Sequence, residues 1–186
     1  VQYFTWCFLI DHLEGEDHTN ERPEQYEFWK GHVPSLIPPW SGRLLDMSYS
    51  SPKTLQTREL QFVPCGRDTE APKTKTLNLW LYRRLIDRSN FAVGSYASDI
   101  TCVNWPQNDY MLGSILDVSA DERASHLRQA QQLSLSLLYW LQTEAPRPDG
   151  GQGWKGLRLR HDAVGTTPGI AKHPYIRESR RIKAAF

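Results

Sequence analysis

The residues with the clearest capacity for chemistry lie in one short run, Asn104–Tyr110, which reads Asn-Trp-Pro-Gln-Asn-Asp-Tyr. Asn108 and Asp109 offer hydrogen-bond donors and acceptors, while Trp105 and Tyr110 offer flat surfaces suited to a sugar or another ring. The same residue types also bond neighbouring backbone groups and stabilise turns. The run therefore predicts either a rigid structural turn or a ligand-facing platform.

A second group of candidates is the set of arginines near the end of the chain. Residues 147–186 carry nine basic and three acidic groups, whereas residues 1–30 carry seven acidic and two basic groups. Guanidinium groups bind carboxylate or phosphate through two parallel hydrogen bonds, and nearby glycines let the backbone approach a ligand closely. The alternative is ion pairing inside the fold, for which the candidates are Arg147, Arg158 and Arg160 with Asp149 and Asp162.

Several other kinds of site find no support in the sequence. The six histidines show no H-E-x-x-H and no spacing typical of metal ligands, so no metal site is predicted. Cys7, Cys65 and Cys102 are widely spaced and are expected to be buried thiols. There is no G-x-S-x-G for a hydrolytic triad, and no G-x-G-x-x-G follows a strand, so the dinucleotide-binding fingerprint is absent from these 186 residues.

Length and composition are those of a soluble globular chain with a single domain over residues 1–186. The net charge of +1 argues against a dedicated nucleic-acid binder. The apolar stretch Tyr3–Ile10 is far shorter than the roughly 20 residues of a membrane helix, so no membrane association is predicted. Because Val1 begins inside a predicted strand, we expect the chain to be part of a longer or processed protein.

The elements that must position these groups are mostly strands. Period-two alternation of apolar residues predicts four strands, and several strands in succession favour an antiparallel sheet. Between the first two of them, His12–Gln25 is acidic and poor in apolar residues, which predicts an exposed excursion. The predicted strands are Val1–Asp11, Arg58–Val63, Leu77–Tyr82 and Ser98–Trp105.

Two helices complete the predicted α+β fold. The first runs from about Asp121 to Thr143, because Ser119 and Glu122 fit a capping box and apolar residues recur at helical spacing before Pro146. Pro174 is typical of the first position of a second, C-terminal helix, on which three arginines share a face. These are Arg177, Arg180 and Arg181.

Four ordered segments together resemble the middle portion of the FAD-dependent oxidoreductase family that is sometimes labelled xanthan-lyase-related. The resemblance spans about residues 77–186, and the first strand is similar to the family's entry into its substrate domain. The segments are Asp99–Tyr110, Tyr139–Glu144, Leu157–Arg160 and Ala171–Ile182.

The resemblance implies a substrate domain, built from an antiparallel sheet with helices, that orients a small-molecule substrate against FAD for hydride transfer. It places Asn104, Asn108, Asp109 and Tyr110 near the substrate. Family members bind FAD through an N-terminal G-x-G-x-x-G and a C-terminal segment, so the remaining segments or a tightly associated partner chain are expected to hold most of the cofactor. Within this chain, the residues expected near the substrate or the flavin are Arg177 and Arg181.

Two other functions stay open at the level of sequence. Seven tryptophans and eight tyrosines would suit a non-catalytic carbohydrate-binding module, since aromatic rings stack on sugars. An anion or nucleic-acid binder that uses the basic end is less favoured, because aromatic and basic residues are not interleaved along one element.

Overall fold

A computed structural model describes residues 3–35, 42–51, 54, 56–64 and 76–177. Within these residues the fold is α+β, as predicted, with strands in three sheets and one long helix. The strands are β1 Phe4–Thr5, β2 Phe8–His12, β3 Ser48–Ser50, β4 Thr57–Gln61, β5 Leu77–Asn78, β6 Arg84–Ile86, β7 Ile100–Val103, β8 Asp109–Tyr110, β9 Leu157–Leu159 and β10 Tyr175–Ile176. The helices are α1 Tyr26–Gly31, α2 Leu79–Tyr82, α3 Ala120–Thr143 and α4 His161–Val164.

The main sheet has the order β6-β7-β2-β9 and is antiparallel throughout. A second antiparallel sheet has the order β10-β1-β8, and because β1 leads directly into β2, the two sheets adjoin. The third sheet, β3-β4-β5, pairs β4 with β5 in parallel. Strands from distant parts of the chain are thus neighbours of β1 and β2.

The alternation predicted for the first strand is present, although the strand is divided at Trp6 and Cys7 into β1 and β2. Side chains on one face are fully or almost fully buried, because they pack into the hydrophobic core. These are Phe4, Trp6, Phe8 and Ile10. The strand predictions at residues 58–63 and 98–105 are confirmed by β4 and β7.

Helix α3 confirms the predicted long helix and its capping box. The Ser119 hydroxyl accepts a hydrogen bond from the Glu122 backbone at 3.2 Å, and the Glu122 carboxylate accepts one from the Ser119 backbone at 3.1 Å. The helix packs its apolar face against α1, β1 and β8. The buried residues of that face include Ala130, Leu133, Ser134, Leu137, Leu138 and Leu141.

The predicted strand over residues 77–82 is wrong beyond its first two residues. β5 ends at Asn78, and Leu79–Tyr82 forms the one-turn helix α2. The Asn78 side-chain oxygen accepts a hydrogen bond from the Trp80 backbone at 3.1 Å, which caps the new turn. Leu79 and Trp80 are both buried, which consecutive strand positions facing opposite sides of one sheet would not achieve as readily.

Pro174 does not begin a helix. The two residues after it form β10, which pairs with β1 through Phe4↔Ile176 and Thr5↔Tyr175. Proline is compatible with an edge strand, because an outward-facing position needs no backbone N–H, and β10 lies at the edge of its sheet. Arg180 and Arg181, also assigned to this helix by the sequence, lie outside the described residues.

The acidic excursion after β2 is largely exposed, as predicted, and it is fastened to α3 by one buried side chain. The Gln142 amide nitrogen lies 2.8 Å from the His18 backbone oxygen and 2.8 Å from that of Leu157, and the Gln142 side-chain oxygen accepts from the Asn20 backbone at 3.0 Å. Gln142 is fully buried. It therefore joins the excursion, α3 and β9. In the described ranges no helix has both the length and the apolarity to cross a bilayer.

We predict that Gln142→Leu lowers the free energy of unfolding by about 3 kcal/mol, because buried backbone groups in the excursion and β9 lose their partners. The exposed Gln152 provides a matched control, and Gln152→Leu should change stability by no more than about 0.5 kcal/mol. Urea unfolding at neutral pH measures both values. Equal losses in the two variants would show that Gln142 does not hold the excursion.

Candidate functional site

The face of the main and second sheets that lies opposite the core carries polar and sulfur-bearing side chains. Alternation along β1 and β2 and the registers of their neighbours place these residues together, and we call this surface the polar face. Its members are Thr5, Cys7, Asp11, Cys102, Asn104, Asp109, Arg158 and Arg177.

Three of the residues predicted from the sequence meet on this face. The Arg177 guanidinium donates to the Asn104 side-chain oxygen at 2.8 Å and to Asp109 Oδ1 at 2.7 Å and 3.0 Å. The Thr5 hydroxyl also donates to Asp109 Oδ1. The register of β1 explains this meeting, because Thr5 pairs with Asp109 on one side and with Tyr175 on the other. We call this group the Arg177 cluster.

A second guanidinium lies next to the Arg177 cluster. Arg83, which is exposed, donates from Nε to the Asn104 backbone oxygen at 3.1 Å. In the described part of the chain, the Asn104 amide nitrogen and Asp109 Oδ2 make no hydrogen bond, and neither is among the fully buried unpaired polar atoms. Among the described residues, the cluster therefore keeps one donor and one acceptor that make no hydrogen bond.

Burial dominates the electrostatics of Asp109. Loss of solvent raises the pKa of its carboxyl above the ordinary value, while the hydrogen bonds from Thr5 and Arg177 and the charge of Arg177 act in the opposite direction. The Asp109 side chain is 13% exposed and that of Arg177 is 22% exposed. The pair is thus partly shielded from water, which strengthens hydrogen bonds made to it.

Asn108 and Tyr110, the other two predicted substrate residues, are turned towards the core and are completely buried. Asn108 donates to the Trp6 backbone oxygen at 3.2 Å, and its side-chain oxygen accepts from the Trp105 backbone at 2.9 Å. The Tyr110 hydroxyl lies 2.7 Å from His126 Nδ1, and burial raises the pKa of Tyr110 to about 12. The structure does not bring these two residues to the polar face, so their contact with a substrate stays a prediction.

The second arginine-rich group on the polar face is an ion-pair network around Asp11. Arg158 binds both Asp11 oxygens, at 3.1 Å and 2.6 Å, and Arg160 reaches Asp11 Oδ2 at 3.2 Å while also binding Asp162. The predicted pairing of Arg147 with Asp149 is present as well, at 2.6 Å. Of the two functions open to these arginines, ion pairing inside the fold is the one observed.

Two of the glycines that suggested close approach to a ligand instead allow close packing of the protein's own backbone. A Cβ atom on Gly153 would lie 2.4 Å from the Gln142 backbone oxygen, and one on Gly156 would lie 2.2 Å from that of Leu13. Gly153 also has φ of +71°. These glycines therefore let the loop pack against the end of α3 and against the chain after β2.

Sequence reasoning missed two residues of the polar face and one residue beside it, all of which bind partners far along the chain. The residues are Thr5, Asp11 and Arg83. Their hydrogen-bond partners are distant in the sequence, so no spacing within a short segment predicts these contacts. Predicting these contacts requires knowing which strands pair and in which register. Arg181, predicted near the cofactor, lies outside the described residues. In the ranges that the structure describes, no three His, Cys, Asp or Glu side chains are grouped as metal ligands.

Comparison with known proteins identifies the family. Residues 10–186 match the family described as FAD dependent oxidoreductase. The chain belongs to this family. No curated protein and no solved structure matches the chain. The cofactor implied by the family is FAD, as the sequence motifs predicted.

Membership of the FAD-dependent oxidoreductase family leaves the carbohydrate-binding alternative without support. Among the described tryptophans, five are buried and Trp154 is partly buried, so their rings pack inside the protein instead of forming an exposed stacking surface. The five are Trp6, Trp29, Trp80, Trp105 and Trp140.

The two acidic ends of the Asp11 network should differ sharply in their contribution to stability. Asp11 is 1% exposed, so Asp11→Asn leaves Arg158 without its buried partner and should cost on the order of 3 kcal/mol. Asp162 is 67% exposed, and Asp162→Asn should cost less than about 1 kcal/mol. Chemical denaturation at pH 7 compares the two variants. Similar costs would mean that burial does not govern this network.

Proposed function

We propose that the polar face is the substrate-facing wall of an FAD-dependent oxidoreductase, in which the Arg177 cluster orients a small polar substrate for hydride transfer to the flavin. One observation carries this proposal. Arg177 joins Asn104 and Asp109, which come from separate parts of the chain, and leaves a donor and an acceptor of these two residues unused among the described residues.

Each member of the cluster has a distinct part in binding. The Asn104 amide nitrogen donates to an oxygen of the substrate, and Asp109 Oδ2 accepts from a substrate hydroxyl. Arg177 fixes the orientation of both side chains, because its rigid guanidinium fork contacts them simultaneously. The Thr5 hydroxyl donates to Asp109 Oδ1, which is the oxygen that Arg177 also contacts, so Oδ2 is left for the substrate. A substrate with a hydroxyl group beside a carbonyl or carboxylate oxygen satisfies this arrangement.

The chemistry of these donors fits the ring of a flavin better than its nucleotide. A bound flavin supplies the acceptor for the hydride. The exposed guanidinium of Arg83 and the half-buried one of Arg177 are suited to the carbonyl edge of such a ring, since both are cationic donors. For the pyrophosphate, by contrast, the G-x-G-x-x-G run at residues 151–156 lies between α3 and β9, so it neither follows a strand nor opens a helix as a dinucleotide-binding turn does.

We infer that the remaining segments of the flavoenzyme, or a partner chain, hold the nucleotide part of FAD against this single domain. The ordered motifs support the xanthan-lyase-related type of the family. In this arrangement Arg177, and Arg181 beyond it, lie near substrate or flavin, while Asn108 and Tyr110 support the polar face from the core side through their contacts with Trp6 and His126.

The test is the kinetics of flavin reduction in the complete, FAD-loaded protein. Candidate hydroxy acids and hydroxy carbonyl compounds are mixed with it anaerobically, and loss of the blue absorbance of the flavin reports hydride transfer. With a substrate found in this way, Arg177→Lys should lower kcat/KM by about tenfold or more, because lysine cannot hold Asn104 and Asp109 together.

Arg158→Lys is the matched control, since Arg158 also binds a buried aspartate on the polar face but lies in the Asp11 network. It should leave kcat/KM within about twofold of the original value. Unfolding midpoints of both variants confirm that each is folded during the assay. Equal kinetic losses, or binding of polysaccharide by a colourless complete protein, would contradict the proposed function.

A further inference from the structure

Two cysteine thiols lie together on the polar face, outside the Arg177 cluster. Cys102 is in β7 opposite Leu9 of β2, and Cys7 precedes Leu9 by two residues, so the cysteines occupy diagonal positions on the same face. Both are half-buried. Each side chain affects the ionisation of the other, which agrees with their positions on one face.

The backbone around Cys7 suits a covalent link to Cys102. Diagonal neighbours in an antiparallel pair are about 7–8 Å apart, slightly beyond the separation that a disulfide spans without movement. Cys7, however, lies in the gap between β1 and β2, where the regular ladder is interrupted. Closing the distance requires a local shift of this gap, where the Cys7 backbone oxygen accepts a hydrogen bond from the Ala171 backbone at 2.8 Å.

The two thiols have unequal environments. The neighbouring Cys7 side chain lowers the pKa of Cys102, and the positive charge of Arg83, which lies opposite Cys102 in the sheet, acts in the same direction. The neighbouring Cys102 side chain and burial raise the pKa of Cys7. Because Arg83 lies opposite Cys102 in the sheet, we expect Cys102 to be the thiol that attacks first.

We propose that Cys7 and Cys102 form a redox-active dithiol, which a low-molecular-weight disulfide oxidises to a reversible intramolecular disulfide. This inference concerns the thiols alone and stands whether or not the polar face binds a substrate. In the fold, this disulfide is a reversible cross-link between the gap that precedes β2 and the middle of β7. Asn104 lies two residues after Cys102.

The reaction proceeds in two exchanges. The Cys102 thiolate attacks one sulfur of the small disulfide, the S–S bond of the reagent breaks, and one thiolate leaves as a mixed disulfide forms on Cys102. Cys7 then loses its proton and attacks the Cys102 sulfur, releasing the second small thiol. The protein loses two electrons and two protons in total, and the small disulfide is reduced to two thiols.

The experiment uses oxidised glutathione as the probe on the full chain. After incubation the reaction is quenched in acid, free thiols are blocked with a maleimide in denaturant, and peptides are mapped by mass spectrometry. We expect a linked pair of peptides that contain Cys7 and Cys102, and we expect dithiothreitol to separate them. This measurement needs no variant, so it does not depend on the folding of one.

Single variants test the order of the two exchanges. Cys7→Ser should trap glutathione on Cys102, whereas Cys102→Ser should react at Cys7 at least about tenfold more slowly. Cys65→Ser is the matched control and should preserve the linked peptides. The inference is overturned if Cys7 and Cys102 are both fully labelled by maleimide after oxidation, if either is linked to Cys65 instead, or if Cys7→Ser fails to retain glutathione on Cys102.

Discussion

The structure depends on the two faces of the segment that runs through β1 and β2. One face must fill the core, and its residues Phe4, Phe8 and Ile10 are essentially inaccessible to water. The other face carries Thr5 and Asp11, which are equally buried but polar. A buried carboxylate or hydroxyl is tolerated only with hydrogen-bonding partners, so this face requires other strands to deliver them. That requirement explains why strands from the far end of the chain pair with β1 and β2.

How much of the fold could be predicted from sequence depends on how local its cause is. Helix α3 was predictable almost to the residue, because the hydrogen bonds of its capping box span only three positions and its apolar stripe is continuous. The stretch 77–82 was not, since leucines at every second position suit a strand, while the capping hydrogen bond of Asn78 favours a turn of helix. The prediction of a helix that begins at Pro174 was wrong for a similar reason, because proline is equally compatible with the start of a helix and with an edge strand.

In the candidate site, too, local sequence predicted part of the arrangement and long-range strand pairing decided the rest. Sequence reasoning selected Asn104, Asn108, Asp109 and Tyr110 together. Asp109 and Tyr110, however, are adjacent in β8 and point to opposite faces, and Asn108 lies in the turn that precedes this strand. Asp109 therefore reaches the polar face, while its two neighbours in the chain are buried in the core. The residue types were sufficient to select the segment. The pairing of β8 with β1 was needed to decide which side chains meet Arg177, and that pairing spans about a hundred residues.

The charge asymmetry of the chain has a structural origin that changes its functional meaning. An acidic beginning and a basic end suggest a surface for an anion, but part of this charge is paired between the two ends. Arg158 pairs with the buried Asp11, and Lys155 pairs with Asp17 at the surface. Pairing of this kind removes the long-range field that would attract a polyanion. The charge at the Arg177 cluster acts at short range, since the partly buried Arg177 is held by directional hydrogen bonds and Arg83 adds a second cation beside it. A surface of this kind suits a small polar molecule that binds by hydrogen bonds, in agreement with the substrate wall that we propose.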